Sequence, residues 1–200
     1  MFIRNWRFLT IILTALTTGL AFAHALELPA KLSYDAALYI TLAHSLYGGF
    51  GSVGAVIDVC ALLAVTILSY LIRQRRPTFY WTLVGNLCLL AAFVLWVALV
   101  APVNAELAHW TAATAPQDWI QWRNQWEYTH AARFVLQLLG LCALVFSVLD
   151  EIPPQNSGSR EEALDWAKRF PNRAVANGHH LLQTYSRPLD RWGDREGNVE

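Results

Sequence analysis

Several residues stand out for their chemical type and spacing. His24 and Glu27 are three positions apart, and Glu127 and His130 repeat the pair in reverse order far downstream. Residues three or four apart share a helix face, so each pair sets an imidazole beside a carboxylate. Arg123, Trp126, Glu127, His130, Arg133 and Gln137 recur at spacings of three and four and form one stripe. Imidazole titrates near neutrality, so these histidines could act as general base or acid, with a guanidinium stabilising a developing oxyanion. Two imidazoles and two carboxylates could instead ligate a transition metal such as iron, copper or zinc, and two facing imidazoles could ligate haem. The Glu127-x-x-His130 spacing matches carboxylate-bridged metal sites in helical bundles; those sites use four carboxylates, and only Glu106 offers a third here.

The residue types leave three readings open. One is a helix-end network of ion pairs, Glu127 with Arg123 and Glu27 with Arg133. A second is a substrate site without a cofactor, with His24, His130, Arg123 and Arg133 catalytic and Asn104, Trp122, Trp126, Glu27 and Glu127 binding. The third is a metal or haem site with His24, Glu27, Glu127 and His130 as ligands.

The elements that must position these groups follow from hydropathy. Of 200 residues, 55% are hydrophobic and 15% charged, against about 25% charged in a soluble domain. Residues 8–28, 49–72, 79–101 and 129–149 each supply the roughly 20 mostly apolar residues that a spanning helix needs. No stretch alternates with period two, so no strand competes. The expected fold class is all-α: a four-helix transmembrane bundle over residues 1–152, with external interfacial helix or loop segments, and a polar cytoplasmic tail over 153–200; the 34–47 segment, apolar at helical spacing, either lies at the interface or extends the second helix outward. In the tail, Pro153-Pro154 and 156–159 break the chain, 161–170 is a short helix, and the remainder is mobile. Zero net charge gives no reason to invoke nucleic acid. The expected partners are the lipid bilayer and a hydrophobic small molecule.

Arg4 and Arg7 before an apolar run, with Ala23-His24-Ala25 at its end, outline a secretory signal. Yet Thr10, Thr14, Thr17 and His24 recur on one side of a helix, which a packed helix uses and a discarded leader does not. The first helix is therefore expected to be retained. Arg4, Arg7, Arg73, Arg75 and Arg76 mark cytoplasmic ends, so both termini should face the cytoplasm, as in a bacterial inner-membrane protein. His24 and His130 then fall at one level with Glu27 and Glu127 above them, and Asn104, His44 and His109 reach the same external end. The two imidazoles should lie about 4–9 Å apart, since nitrogens sharing a metal are about 4 Å apart and a substrate or haem between them needs more room. Asp58, near the middle of the second span, should bond Asn86, pair with Arg133 or relay protons. Cys60, Cys88 and Cys142 all lie within spans and read as packed thiols.

Pro102-Val103-Asn104 closes the third span, and Trp122-Arg123, Trp126-Glu127, His130 and Arg133 open the fourth. Over residues 8–149 this pattern resembles the anthrone oxygenase-like family of small four-helix membrane proteins. The resemblance implies oxidation of polycyclic anthrones to quinones by molecular oxygen, with no cofactor firmly assigned. Its matching positions are Asn104, Trp122, Arg123, Trp126, His130 and Arg133. An anthrone is acidic at its benzylic carbon, so a histidine base could make an anion able to react with oxygen directly, in an apolar slot of tryptophans. A rival class is non-enzymatic: a small-molecule binding or transport module, or an accessory subunit of a membrane complex. Four spans without an inverted repeat would need an oligomer to transport.

Overall fold

Long apolar runs without interior breakers fold as long helices. In the computed structural model, α1 is Phe2–Lys31, α2 is Ala36–Leu71, α3 is Thr78–Leu95, α4 is Ala101–Leu107 and α5 is Trp119–Leu149, with a π-helical turn at Trp96–Val100. The structure describes residues 2–151 and the positions Asp165, Lys168 and Arg169. The chain divides into two units, Met1–Ile152 and Pro153–Glu200. The three described positions of the second unit are helical; the remaining expectations for the tail fall outside the described residues.

The protein is an all-helical, multi-pass integral membrane protein. Four helices are long and apolar enough to cross a bilayer: α1, α2, the α3–π–α4 rod over Thr78–Leu107, and α5. Packing runs in a ring, with α1 between α2 and α5, and the rod between α5 and α2. The end that holds Phe2, Thr78 and Leu149 is termed basal, and the end that holds Lys31, Leu107 and Trp119 distal.

Burial is inverted relative to a soluble bundle. On α1 the inward residues are Thr10, Thr14, Thr17, Ala21, His24 and Lys31, while Phe8, Leu16 and Leu26 point outward, Phe8 at 68% exposure against 0% for Thr10. On α5 the inward stripe is Arg123, Trp126, Glu127, His130, Arg133 and Gln137, continuing through Gly140 to Ser147. Large apolar side chains cover the outside of all four spans. Lipid satisfies such a surface, whereas water would not. The buried hydroxyls are satisfied locally: Thr14 donates to Thr10 O and Thr18 to Thr14 O, at 2.8 and 2.7 Å.

The basal half is closed by close packing. Gly85 on α3 faces Gly140 on α5, and a methyl group added at Gly140 would come within 2.5 Å of Leu89 Cδ1. Small residues at such a crossing let two membrane helices approach closely. At the basal rim, Arg7 donates twice to Glu151, at 2.5 and 2.6 Å, tying α1 to the chain just past α5. The Arg7 guanidinium holds the Glu151 carboxyl below the usual glutamate range.

The helices exceed the spans expected from hydropathy. α1 runs on through Pro29, which sits in its last turns. Of the two expectations for the 34–47 segment, the structure has the second: from Ala36 it is the distal extension of α2 rather than a separate interfacial helix, begun by Asp35, whose carboxylate accepts from Leu38 N at 2.8 Å. Asn104 does not close the third span, because the rod continues to Leu107. A proline normally clashes with the carbonyl one turn back; here the widened π turn immediately precedes Pro102. Gln125 of α5 donates to the Leu99 carbonyl of that turn at 2.9 Å. Cys60 and Cys142 lie on the outer surface rather than packed inside, and Cys88 is half-buried; all three are free.

Candidate functional site

Below the distal rim, the helices separate around a cavity of about 480 Å³. Its existence follows from α2, where Gly48, Gly51, Ser52, Gly54 and Ala55 supply almost no side-chain volume. A Cβ added at Gly48 or Gly51 would meet nothing within 4 Å. The cavity walls are built in layers by residues of every span.

The floor is an ion pair. Asp58 of α2 pairs with Arg133 of α5 and accepts from the Thr17 hydroxyl of α1. Gln137 donates to Thr17 Oγ1 at 3.0 Å and to Asp58 Oδ1 at 3.3 Å, and Arg133 Nε donates to Ala92 O at 3.1 Å. Every span therefore contributes to the floor, and the buried charges are paired as low polarity requires. Of the partners expected for Asp58, Arg133 is present. Asn86 is not; it meets Thr66, two helical turns away.

Above the floor, the His24 and His130 rings lie 4.6 Å apart, centroid to centroid, with planes inclined by 62°. The distance falls inside the expected range of about 4–9 Å. Trp126 packs against both, tilted at 3.9 Å from His130 and edge-on at 5.1 Å from His24, and its indole donates to Asn104 Oδ1 at 2.8 Å. Tyr47 and Phe50 close the other side of His24, at 5.2 and 5.6 Å.

Over the imidazoles sits Lys31, only 2% exposed. Its Nζ lies 2.9 Å from Glu27, 3.5 Å from Glu127 and 3.4 Å from His24 Nδ1, and 4.2 Å from the Tyr47 ring centroid. An ammonium has three protons and no lone pair, so these three acceptors match its capacity. Glu27 also accepts from the Tyr47 hydroxyl at 2.6 Å.

This arrangement fixes both histidine tautomers. Facing an ammonium, His24 Nδ1 must accept, which leaves the proton on Nε2. His130 Nδ1 lies 2.9 Å from the Trp126 carbonyl, which can only accept. His130 therefore carries its proton on Nδ1 and presents a bare Nε2 lone pair. One imidazole offers an N–H and the other an acceptor, and both line the cavity.

Of the residues singled out by sequence, Thr17, His24, His44, Asp58, Asn104, Trp126, His130 and Arg133 line this cavity. Glu27 and Glu127 stand behind it, joined through Lys31. Trp122 and Arg123 belong instead to the distal roof. Arg123 donates to Tyr34 O at 3.4 Å and lies 5.0 Å from the Trp119 ring, and Trp122 packs edge-on to Trp110. At 1.5 Å per residue, these positions are a turn or two distal to the imidazoles. The Glu127–Arg123 and Glu27–Arg133 pairs are not formed, because Lys31 serves both carboxylates. His44 reaches the roof, bonding Leu107 O at 2.9 Å, while His109 and Glu106 are exposed and apart from the cavity. Lys31, which bridges the two carboxylates, and Tyr39 and Tyr47, which line the cavity, are positions that the sequence did not single out. The signal for Lys31 was present, since Glu27-x-x-x-Lys31 is an i,i+4 ion pair on the His24 face.

The geometry also bears on the metal and haem readings. Two imidazoles on opposite faces of a haem iron, each nitrogen about 2 Å from the metal, would set their centroids about 6 Å apart; the pair is closer than this. Among the described residues no three His, Cys, Asp or Glu side chains gather into a group able to hold a metal ion. Lys31 stands where a cation bridging Glu27 and Glu127 would sit. The residues present do not fit either group.

Comparison with family models, with curated proteins and with solved structures finds no match in any of the three.

Proposed function

We propose that the cavity is the substrate site of an intramembrane oxygenase of the anthrone-oxygenase type, acting on a flat, weakly acidic hydrophobic molecule. The observation that carries this reading is the bare His130 Nε2, a base held beside the His24 N–H donor in a chamber walled by both polar and aromatic side chains. A chamber of about 480 Å³ lies within the usual range of ligand pockets, about 300–1,000 Å³. In the reaction, His130 Nε2 takes a proton from the benzylic carbon of the substrate. The carbanion gives its electron pair to dioxygen to form a peroxide, which loses water to leave the ketone. One O₂ is consumed and one water released for each quinone formed, so no outside reductant is required. The His24 N–H and Arg133 are placed to hydrogen-bond the oxyanion conjugate to that carbanion. Trp126 supplies a flat wall.

We place both termini in the cytoplasm and the cavity toward the external face of a bacterial inner membrane, on the distribution of basic residues. Reporters fused after Arg76 should read cytoplasmic and those near Ala113 external.

The test is oxygen uptake by purified protein supplied with anthrone, alongside the appearance of anthraquinone. Equal consumption and production, abolished in His130→Ala, is the expected result. Saturable binding of anthrone without oxygen uptake would refute the oxygenase and support the non-enzymatic binding module. Absence of binding would remove the cavity from either role.

A further inference from the structure

The cavity is closed above and below but not on one side. Its roof is the cluster of Tyr39, Ile40, Leu107 and Trp110, tied by the His44–Leu107 hydrogen bond. Its floor is the Asp58–Arg133 ion pair with Gln137 and Thr17. Between them, the distal half of α2 packs along α1 but makes little contact with the π turn or α4. On the α2 edge of this gap, Gly48, Gly51 and Ser52 are exposed and line the cavity; on the opposite edge stand Trp96, Asn104 and Ala108. At 1.5 Å rise, the roughly 20 residues that fill a hydrocarbon core reach from Leu71 back to about Ser52 on α2. From Leu149 they reach back to about His130 on α5. The gap therefore sits at the border between acyl chains and headgroups.

We infer that this gap is a lateral portal through which an uncharged, bilayer-dissolved ligand reaches the histidine pair sideways from the membrane. The inference rests on the cavity being a ligand site, as proposed above, and adds the route and the class of molecule. Small residues alone would say little. The second observation is His130, 5% exposed, which lines the cavity and whose Nε2 has no hydrogen-bond partner among the described residues. A third is Asn104 at the mouth. Its oxygen is committed to the Trp126 indole, which leaves its amino group free to donate. A carbonyl or phenol oxygen on a flat apolar body meets that donor on the way in. A charged ligand would instead have to cross the acyl border, which is costly.

The test uses the full chain reconstituted in phosphatidylcholine vesicles, with 9,10-anthraquinone as probe. Binding is followed by stopped-flow quenching of tryptophan fluorescence, and Trp96→Phe identifies the contribution from the portal. Doubling the lipid at constant protein and constant total probe dilutes the probe within the bilayer, so the binding rate should fall about twofold. Gly51→Leu places a side chain across the gap and should slow association and dissociation together, by about tenfold, with little change in Kd. Ser52→Phe is the second obstruction if Gly51→Leu does not fold. A rate indifferent to the amount of lipid, or unchanged by both obstructions, would overturn the portal while leaving the cavity as the binding site. Absence of saturable quenching in the unaltered protein would overturn both.

Discussion

Replacing Lys31 with methionine removes the one cation shared by Glu27, Glu127 and His24. The cost can be worked from the two carboxylates separately. Glu27 keeps 38% of its side chain exposed and retains the Tyr47 hydroxyl, so losing its partner should cost about 1 kcal/mol or less. The side chain of Glu127 is 0% exposed, and neither of its oxygens has a hydrogen bond. Its charge therefore rests on Lys31 Nζ at 3.5 Å, with the Tyr39 side chain the neighbouring polar group. A buried charge stripped of its partner costs about 3–5 kcal/mol, so Lys31→Met should destabilise by roughly that amount. Replacing both charges, with Lys31→Met and Glu127→Leu together, should recover all but about 1–2 kcal/mol, because a buried ion pair and an apolar pair of similar volume are close in stability. The assay is equilibrium unfolding in mixed micelles, titrated with a denaturing detergent and followed by helical circular dichroism. If Lys31→Met costs less than about 1 kcal/mol, or if the two substitutions simply add, Lys31 does not neutralise Glu127 and the reasoning fails.

Three further outcomes are expected. Because the Glu151 carboxyl is lowered by Arg7, its stabilisation is complete above the unfolded glutamate value of 4.5 and is lost as pH falls below it through the lowered native value. Thermal melts should show this acid loss in the native chain and a weaker one in Arg7→Ala. Gly140→Leu should destabilise by about 1–3 kcal/mol through overpacking against Leu89, whereas Gly51→Ala should be neutral or stabilising by up to about 1 kcal/mol, both read from the same micelle titration. His24→Ala and His130→Ala should each abolish anthrone oxidation nearly as completely as the double variant, since groups acting as a unit are not additive; additive losses would indicate separate roles.

The polar stripes of α1 and α5 were legible in the sequence because a membrane span makes every interior polar residue conspicuous. Antiparallel order alone then set His24 level with His130. Lys31 was not legible for the opposite reason. It lies beyond Pro29, where the apolar run ends, and there it reads as a loop charge that orients the chain rather than as the centre of a network. Trp122 and Arg123 share the periodicity of His130 but lie about two turns nearer the distal end of α5, a height that follows from their numbers. What the sequence did not show is that the 107–119 connection packs against α2 there and makes that level a roof. The cavity itself leaves only an indirect trace, the glycines of α2, whose missing side chains gain meaning once the neighbouring helices are in place.

The closed basal half has a consequence for energetics across the membrane. Below Asp58, the helices meet at the Gly85–Gly140 contact, and the hydroxyls of Thr10, Thr14 and Thr18 are bound to their own helices. Among the described residues the buried hydroxyls of Ser69, Thr82 and Ser147 are likewise bonded within their own helices. On the proposed reaction, a proton taken up at the histidine pair would exchange with the distal compartment. Turnover would then move no net charge from one compartment to the other, and its rate should be indifferent to the electrical potential that powers the pumps and carriers sharing the same bilayer.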